Sequence, residues 1–316
     1  NRAAGVEVRT ANGAVETVHA SRELILCGGA IGSPHLLMLS GIGPADELRK
    51  HGIKVRIDLP GVGENLQDHP LVYMKWHTDK PISLSKYARK DLMLYTGARW
   101  LMTHKGPGAS NNVEMCAWLR TDPSVSHPDM LIQFLPVLLT HEGDVMSDSH
   151  GFTYAIGPTC VDAPGWVRLR SDRPDDKPRI YSNFLATGSD FKRMSRSLEV
   201  GREIANQRAH LSHGITEVDP GPDISNPADI EAYLRNNVAG DFHIVGTCKM
   251  GTDAIAVVDA SLKVHGIEGL RVVDASVMLS IVRANTNATS IMIGEKAADM
   301  ILGKPPLPPA DVPLPR

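Results

Sequence analysis

The sequence predicts two domains: an α/β domain assembled from both ends of the chain, and an α+β domain with an antiparallel sheet between them. Three observations lead there. Short unbroken apolar runs near both ends, Leu24-Ile25-Leu26-Cys27 and Leu270–Val273, have the pattern of strands buried on both faces. Between about residues 71 and 235 the texture changes to longer strand candidates mixed with helices. The length of 316 residues accommodates one large or two ordinary domains. The expected boundaries are 1–70 and 236–303 for the first domain and 71–235 for the second, with a Pro-rich, extended tail over 304–316.

The elements follow in order. Residues 2–27 pattern as a hairpin and a further strand: Val6 and Val8 share a face, and Asn12-Gly13 supplies a turn that accepts positive φ. The strand ending at Cys27 runs into Gly28-Gly29-Ala30, where the loss of side chains lets another backbone or a ligand approach. Ser33 is the expected N-cap of a helix with Pro34 in its first turn, broken by Ser40-Gly41-Ile42-Gly43-Pro44. A second helix runs from Ala45 to His51, and Val55 to Leu59 is a short strand. In the middle region the strand candidates are Leu71–Trp76, Val113–Leu119, Met130–Phe134, Phe152–Pro158 and Gly165–Leu169. The helices there are Lys90–Thr103, Asp190–Gln207 and Pro227–Asn237, and His141–His150 is a polar, mobile loop. From Ser290 to Ile301 the chain reads as a buried helix.

Composition removes several function classes. The net charge of -3 leaves no basic field that points to nucleic acid or anionic lipid. No apolar run is long enough to span a bilayer. The four cysteines are far apart and form no CxxC pair, so neither a zinc site nor a disulfide framework is indicated. A cytoplasmic setting is the default, compatible with peripheral membrane association. The 13 histidines show no HExxH or other ligand spacing, so no metal site is expected. The chain begins at Asn1 with no signal-peptide pattern, and Arg2–Val8 reads as a strand already in progress.

Two polar motifs carry the chemistry. One is Phe242-His243-Ile244-Val245-Gly246-Thr247-Cys248-Lys249-Met250-Gly251, and the other is Asn285-Thr286-Asn287-Ala288-Thr289. Between them lies Gly269-Leu270-Arg271-Val272-Val273-Asp274-Ala275-Ser276. Together with Gly29–Pro44, Gly61–His69 and, more loosely, Gly106–Asn111 and Pro178–Leu185, these segments resemble the glucose–methanol–choline (GMC) oxidoreductase family. The resemblance covers nearly the whole chain and is nearest the choline and small-alcohol dehydrogenase and oxidase branches. It implies a Rossmann-like FAD-binding domain and a substrate-binding domain, with FAD as cofactor.

The resemblance also shows what is lacking. Family members begin with a strand–GxGxxG–helix unit that binds the ADP half of FAD, and no such unit occurs in these 316 residues. Gly61-Val62-Gly63 lacks the third glycine and opens no helix. The FAD-binding domain is therefore expected to be incomplete, and a missing N-terminal FAD-binding segment is an expected partner. Alone, the chain would leave sheet edges unpaired and apolar surface exposed.

A neutral imidazole can accept a hydroxyl proton and a nearby amide can hold the oxygen, so His243 is the candidate base and Asn285 its orienting partner. The resemblance implies the same roles. The helix opened by Asn285-Thr286 would present its positive end to the flavin pyrimidine. By the same resemblance, Asp274 and Ala275 approach the ribityl–pyrophosphate region, and Gly28, Gly29 and Ala30 line the adenine side. A carboxylate beside pyrophosphate is unfavourable, so Asp274 is expected to bond a hydroxyl or a turn while the Ala275 N–H faces phosphate. Cys248 reads as a buried structural thiol, and His51, His69 and His265 as surface or structural residues. Leu279 and Ala284 stand where the family often has proline and glycine, and Asp162-Ala163-Pro164-Gly165 replaces a common Ser-Arg-Gly entry. The expected reaction is oxidation of a primary alcohol to an aldehyde, with oxygen or an electron acceptor taking the electrons onward. The rival reading is a non-catalytic fragment or interaction module that retains the fold without binding FAD alone.

Overall fold

The computed structural model describes residues 1–140 and 143–308. Of the expected polar loop, His141 and Glu142 lie outside the described residues, as do residues 309–316 of the expected tail. In chain order the elements are β1 (Gly5–Arg9), β2 (Val15–His19), β3 (Leu24–Leu26), α1 (Gly29–Leu39), β4 (Ile42–Gly43), α2 (Ala45–Lys50), β5 (Ile57–Asp58) and β6 (Pro70–His77). Then come α3 (Lys90–Thr103), β7 (Met115–Leu119), β8 (Met130–Leu135), β9 (Gly151–Pro158), β10 (Trp166–Arg168), β11 (Arg179–Tyr181), α4 (Gly188–Ala205) and α5 (Arg208–Leu211). The last are β12 (Thr216–Asp219), α6 (Pro227–Asn237), β13 (Ala239–Gly240), β14 (Leu270–Val272) and α7 (Asn287–Ile301).

The chain separates into two compact units: 1–67 with 164–182 and 243–316, and 68–163 with 183–242. The sequence assigned 164–182 to the middle domain, but the segment clusters with the first unit. Glycines explain why. Gly63 holds φ +85, and a Cβ there would meet the Val167 carbonyl oxygen at 2.2 Å. That closeness lets Val167 N–H donate to the Gly63 carbonyl at 2.6 Å, while Leu66 and Gly165 exchange backbone bonds. Val167 and Leu169 are then fully buried in the first unit's core.

In the first unit, β3 and β14 pair in parallel, Leu24 opposite Leu270 and Leu26 opposite Val272. These two strands form a sheet of their own. Leu26, Leu270 and Val272 are buried, but Ile25 is 40% exposed, so β3 is not covered on both faces as its apolar run suggested. A cavity of about 830 Å³ opens beside it, lined by Leu24, Leu26, Leu36, Leu37, Ile42 and Leu270 among others. The hairpin β1–β2 turns at Asn12-Gly13 as expected, with Gly13 at φ +86. Helix α7 buries only Ile293 and Ala297 and leaves Ile291 and Met292 exposed, which corrects the expectation of a buried helix.

Helix α1 also differs from its expected start. It begins at Gly29, so Pro34 lies inside it and Ser33 is not its cap. The start is set by Asp274, whose carboxylate accepts from Gly29 N–H at 3.0 Å. Proline has no N–H to give the carbonyl four residues back. That carbonyl, on Ala30, instead accepts from the Thr247 hydroxyl at 2.5 Å.

The second unit is built on an antiparallel sheet in the order β12-β6-β9-β8-β7, with β13 also paired to β6. Val72, Met74 and Trp76 from β6 join Phe152, Tyr154 and Ile156 from β9 in its core, covered by Met194 and Leu198 of α4 and Leu234 of α6. Gly201 lets α4 approach the sheet, since a Cβ there would meet Met74 Sδ at 2.5 Å. Thr187 caps α4 by accepting from Asp190 N–H. Asn226 does the same for α6, with Pro227 in its first turn.

Candidate active site

His243 and Asn285 are brought together within the first unit. Asn285 Nδ2 lies 3.2 Å from His243 Nε2. With the amide donating, that ring nitrogen is an unprotonated acceptor and the tautomeric proton sits on Nδ1. Forty-two residues of sequence separate the two side chains, so the pairing is a product of the fold.

What holds His243 in place is the strip that follows it. Val245 and Gln67 exchange backbone hydrogen bonds of 2.9 and 3.1 Å. Gly246, Cys248 and Met250 N–H groups donate to the carbonyls of Ala275, Ser276 and Val277. Gly246 holds φ +92, and a Cβ there would meet the Asn65 carbonyl oxygen at 2.4 Å. Asn65 Nδ2 donates to the carbonyls of Gly246 and Leu279, both at 3.2 Å. Gln67 Nε2 donates to Asn65 Oδ1, and Gln67 Oε1 accepts from Ile281 N–H. The side chains of Asn65 and Gln67 thus sew the histidine strip to the segment leading to Asn285. Their types within Gly61–His69 are visible in the sequence, but the remote carbonyls they reach are not.

The other expected residues gather at the start of α1. The Asp274 carboxylate accepts from Gly29 N–H at 3.0 Å, from Ser33 Oγ at 2.5 Å and from Ser276 N–H at 2.8 Å. It therefore bonds a hydroxyl and caps a turn. Ala275 opens that turn, a 3₁₀ segment Ala275–Val277, and its N–H has no hydrogen-bond acceptor among the described residues. Gly28 is exposed and precedes α1, Gly29 is half-buried at φ +71 with open space where a Cβ would be, and Ala30 is buried. Thr286 precedes α7 and is 8% exposed. Its carbonyl accepts from Ser290 N–H and Ser290 Oγ.

Phe242 stands immediately before His243. It is 90% exposed and holds φ +59, a left-handed conformation unusual for a bulky side chain. Cys248 is fully buried, and burial pushes its thiol far above the ordinary range despite a hydrogen bond with Ser276. It is no nucleophile. His265 Nε2 meets the Gly251 carbonyl at 3.0 Å, and His51 Nε2 lies 3.4 Å from Glu47. Within the second unit His69 is 2% exposed, and its carbonyl accepts from Asp241 N–H.

Comparison with known proteins decides the family. Two models of the GMC oxidoreductase family match, the N-terminal one over residues 1–71 and the C-terminal one over 162–294. The chain belongs to the GMC oxidoreductase family. It is 42% identical over 308 residues to an oxygen-dependent choline dehydrogenase of Rhizobium rhizogenes (strain K84), covering 97% of this chain and 56% of that protein. It is also 42% identical over 314 residues to the same-named protein of Brucella anthropi, covering 98% and 57%. Among solved structures it is similar to a variant of formate oxidase from Aspergillus oryzae RIB40, at a TM-score of 0.87 and 27% identity over 96% of this chain and 57% of that one. Pyridoxine 4-oxidase from Mesorbium loti matches at a TM-score of 0.80 and 29% identity, covering 96% and 55%. The chain thus spans little more than half the length of the relatives it matches.

GMC oxidoreductases bind FAD. Two features at the start of α1 leave room for part of such a group: open space where a Cβ on Gly29 would be and the Ala275 N–H donor, beside an Asp274 carboxylate already engaged by three protein donors. Gly61 and Gly63 do not add to this cradle. A Cβ on Gly61 would meet the Ile255 carbonyl oxygen at 2.0 Å, so both glycines serve close backbone packing.

Proposed function

We propose that this chain supplies the catalytic wall of an FAD-dependent enzyme that oxidises a primary alcohol to an aldehyde. The observation that carries the reading is the His243–Asn285 pair at 3.2 Å. Without substrate, Asn285 Nδ2 occupies the lone pair of His243 Nε2; once the amide turns to the substrate oxygen, that lone pair is free to take the proton of the substrate hydroxyl. Asn285 cannot titrate, so its amide orients the same oxygen without competing for the proton. Both groups stand at the entry to α7, a helix of 15 residues. Its unpaired N-terminal N–H groups carry about half a positive charge and favour an anion in front of them. Gly28, Gly29, Ala30, Asp274, Ala275, Asn285 and Thr286 would hold the cofactor. FAD bound there would supply a two-electron acceptor for the hydride of the carbinol carbon, with oxygen or another acceptor as the onward oxidant. The names of the 42%-identical relatives point to choline or a similar small alcohol as the substrate.

The ADP half of FAD would be held by sequence outside these 316 residues. The parallel pair β3–β14 and the cavity of about 830 Å³ beside it are where such a segment would add strands and apolar cover. The test is anaerobic reduction of the FAD-loaded full-length protein by a panel of primary alcohols that includes choline. Bleaching of the flavin absorbance is expected, and His243→Ala should slow it by about 10²-fold or more if the residue acts as general base. No bleaching with any alcohol sinks the reading.

One observation favours a second reading, a fragment that keeps the fold without catalysing a reaction. Ile25, Leu36, Leu279, Ile291 and Met292 of the first unit are all exposed. Titration of the 316-residue chain with FAD separates the two, because tight one-to-one binding by this chain alone rules the second out.

A further inference from the structure

Helix α3 is turned inside out. The one buried residue along its 14 positions is Thr96, a polar side chain. Leu92 is half-buried, but the other large aliphatic residues face solvent: Met93 is 57% exposed, Leu94 79%, Leu101 70% and Met102 77%. On a helical wheel Met93, Leu94 and Leu101 fall within about 100° of one another with Gly97 among them, Ala98 and Met102 extend the same side, and Thr96 lies about 60° beyond Met93. Tyr95 and Trp100, also exposed, border this face. The helix is fixed to its unit along the other side, where Gly108 comes so close that a Cβ would lie 3.1 Å from both the Thr96 carbonyl and Trp100 Cβ.

The charges around this face are not mixed. From Lys86 to Lys105 there are five basic residues (Lys86, Arg89, Lys90, Arg99 and Lys105) and one acidic residue, Asp91. Arg89 pairs with Asp91 at 3.0 Å. The net charge of -3 for the whole chain therefore hides a local excess of +4 along this one segment.

We propose that α3 is the docking surface by which this protein binds an anionic lipid bilayer, lying in the interface plane. An amphipathic helix with Leu and Met on one face, aromatic residues at the margin and Lys/Arg around it has the chemistry of interfacial binding. Each Lys or Arg near an anionic leaflet adds to the attraction. No helix among the described residues is long and apolar enough to cross a membrane, and α3 at about 21 Å is too short to do so. A second copy of the chain is the less favourable occupant. Two α3 helices packed antiparallel about a two-fold axis would set Arg89 and Lys90 of one against Arg99 and Lys105 of the other.

The test is co-sedimentation of the full-length protein with vesicles of phosphatidylcholine alone and of phosphatidylcholine mixed with phosphatidylglycerol. Binding to the mixed vesicles is expected, weakened by salt. Leu94→Glu with Leu101→Glu should abolish it, and Lys90→Glu with Lys105→Glu should weaken it about tenfold or more. Both pairs are surface changes, and circular dichroism checks that the variants remain folded. Absence of binding to mixed vesicles overturns the proposal, as does equal binding by the Leu94/Leu101 variant. So does a dimer in sedimentation velocity that the same variant dissociates while vesicle binding is absent.

Discussion

Replacing Thr247 by valine should destabilise the first unit through a single unpaired carbonyl. Pro34 sits inside α1 and has no N–H, so the Ala30 carbonyl lacks the helical donor it would otherwise have. Thr247 Oγ1 supplies the substitute at 2.5 Å, and Ala30 and Thr247 are 6% and 0% exposed. Water therefore has little access to the carbonyl once the hydroxyl is gone. Leaving a buried acceptor unpaired costs about 1–3 kcal/mol, and Thr247→Val changes the side-chain shape little, so about 2 kcal/mol is expected. Pro34→Ala restores a backbone donor to the same carbonyl. In that background Thr247→Val should cost about 0.5 kcal/mol, a coupling of about 1.5 kcal/mol between the two positions. Urea unfolding of the four proteins of this cycle, followed by circular dichroism, measures it. Coupling below about 0.5 kcal/mol, the usual scatter of additive sites, would refute the idea that the hydroxyl stands in for the missing N–H.

Gly246→Ala should cost about 3 kcal/mol in the same unfolding assay, from positive-φ strain plus a Cβ 2.4 Å from the Asn65 carbonyl oxygen. Gly13→Ala, at φ +86 with nothing within 4 Å, should cost only about 1 kcal/mol; equal losses would show that the Asn65 contact is unimportant. Acid should weaken the fold through two histidines. Burial lowers the pKa of His35, and burial followed by the charge of His213 lowers that of His210. Because the folded values are depressed, the unfolded chain binds more protons. Their stabilisation is complete above the ordinary imidazole value of 6.5 and is lost as pH falls through the folded values. Thermal melts across that range should show a shallower acid slope for His35→Gln and for His210→Gln. Slopes parallel to the parent would remove these residues from the account.

Where local chemistry sets an element, the sequence was enough to place it. Helix α6 matches its expected bounds because Asn226 and Pro227 fix its first turn and the chain leaves helical geometry at Val238. Strands β6 and β9 match within a residue or two, since their apolar residues carry the second core. Elements went wrong where the deciding partner is remote. The start of α1 depends on Asp274, 245 residues away from Gly29. The placement of 164–182 depends on Gly63 accepting a backbone approach from Val167. Apolar runs could not say that Ile25, Ile291 and Met292 would face outward. At the site, His243 and Asn285 stood out by type and motif. The bonds that hold them did not, because Asn65 reaches carbonyls 181 and 214 residues further along the chain.

These bonds explain how a side chain in an irregular segment can be held rigidly. His243 lies outside the regular helices and strands, where backbone polar groups most often turn to water. Its strip instead donates N–H groups to successive carbonyls of Ala275–Val277 and exchanges bonds with Gln67. Asn65 takes the Gly246 carbonyl. Each connection needs a residue without bulk or a side chain that imitates the backbone: Gly246 for close approach, Asn65 and Gln67 for amide pairing, Thr247 for a missing N–H. A costly feature comes immediately before the histidine, where Phe242 keeps a positive φ and stays 90% exposed. Strain of this kind costs about 1–3 kcal/mol and persists only where the surrounding structure over-determines it. Within the first unit, the bonds made by the strip after His243 fix the backbone that carries the imidazole, and they set it 3.2 Å from Asn285 Nδ2.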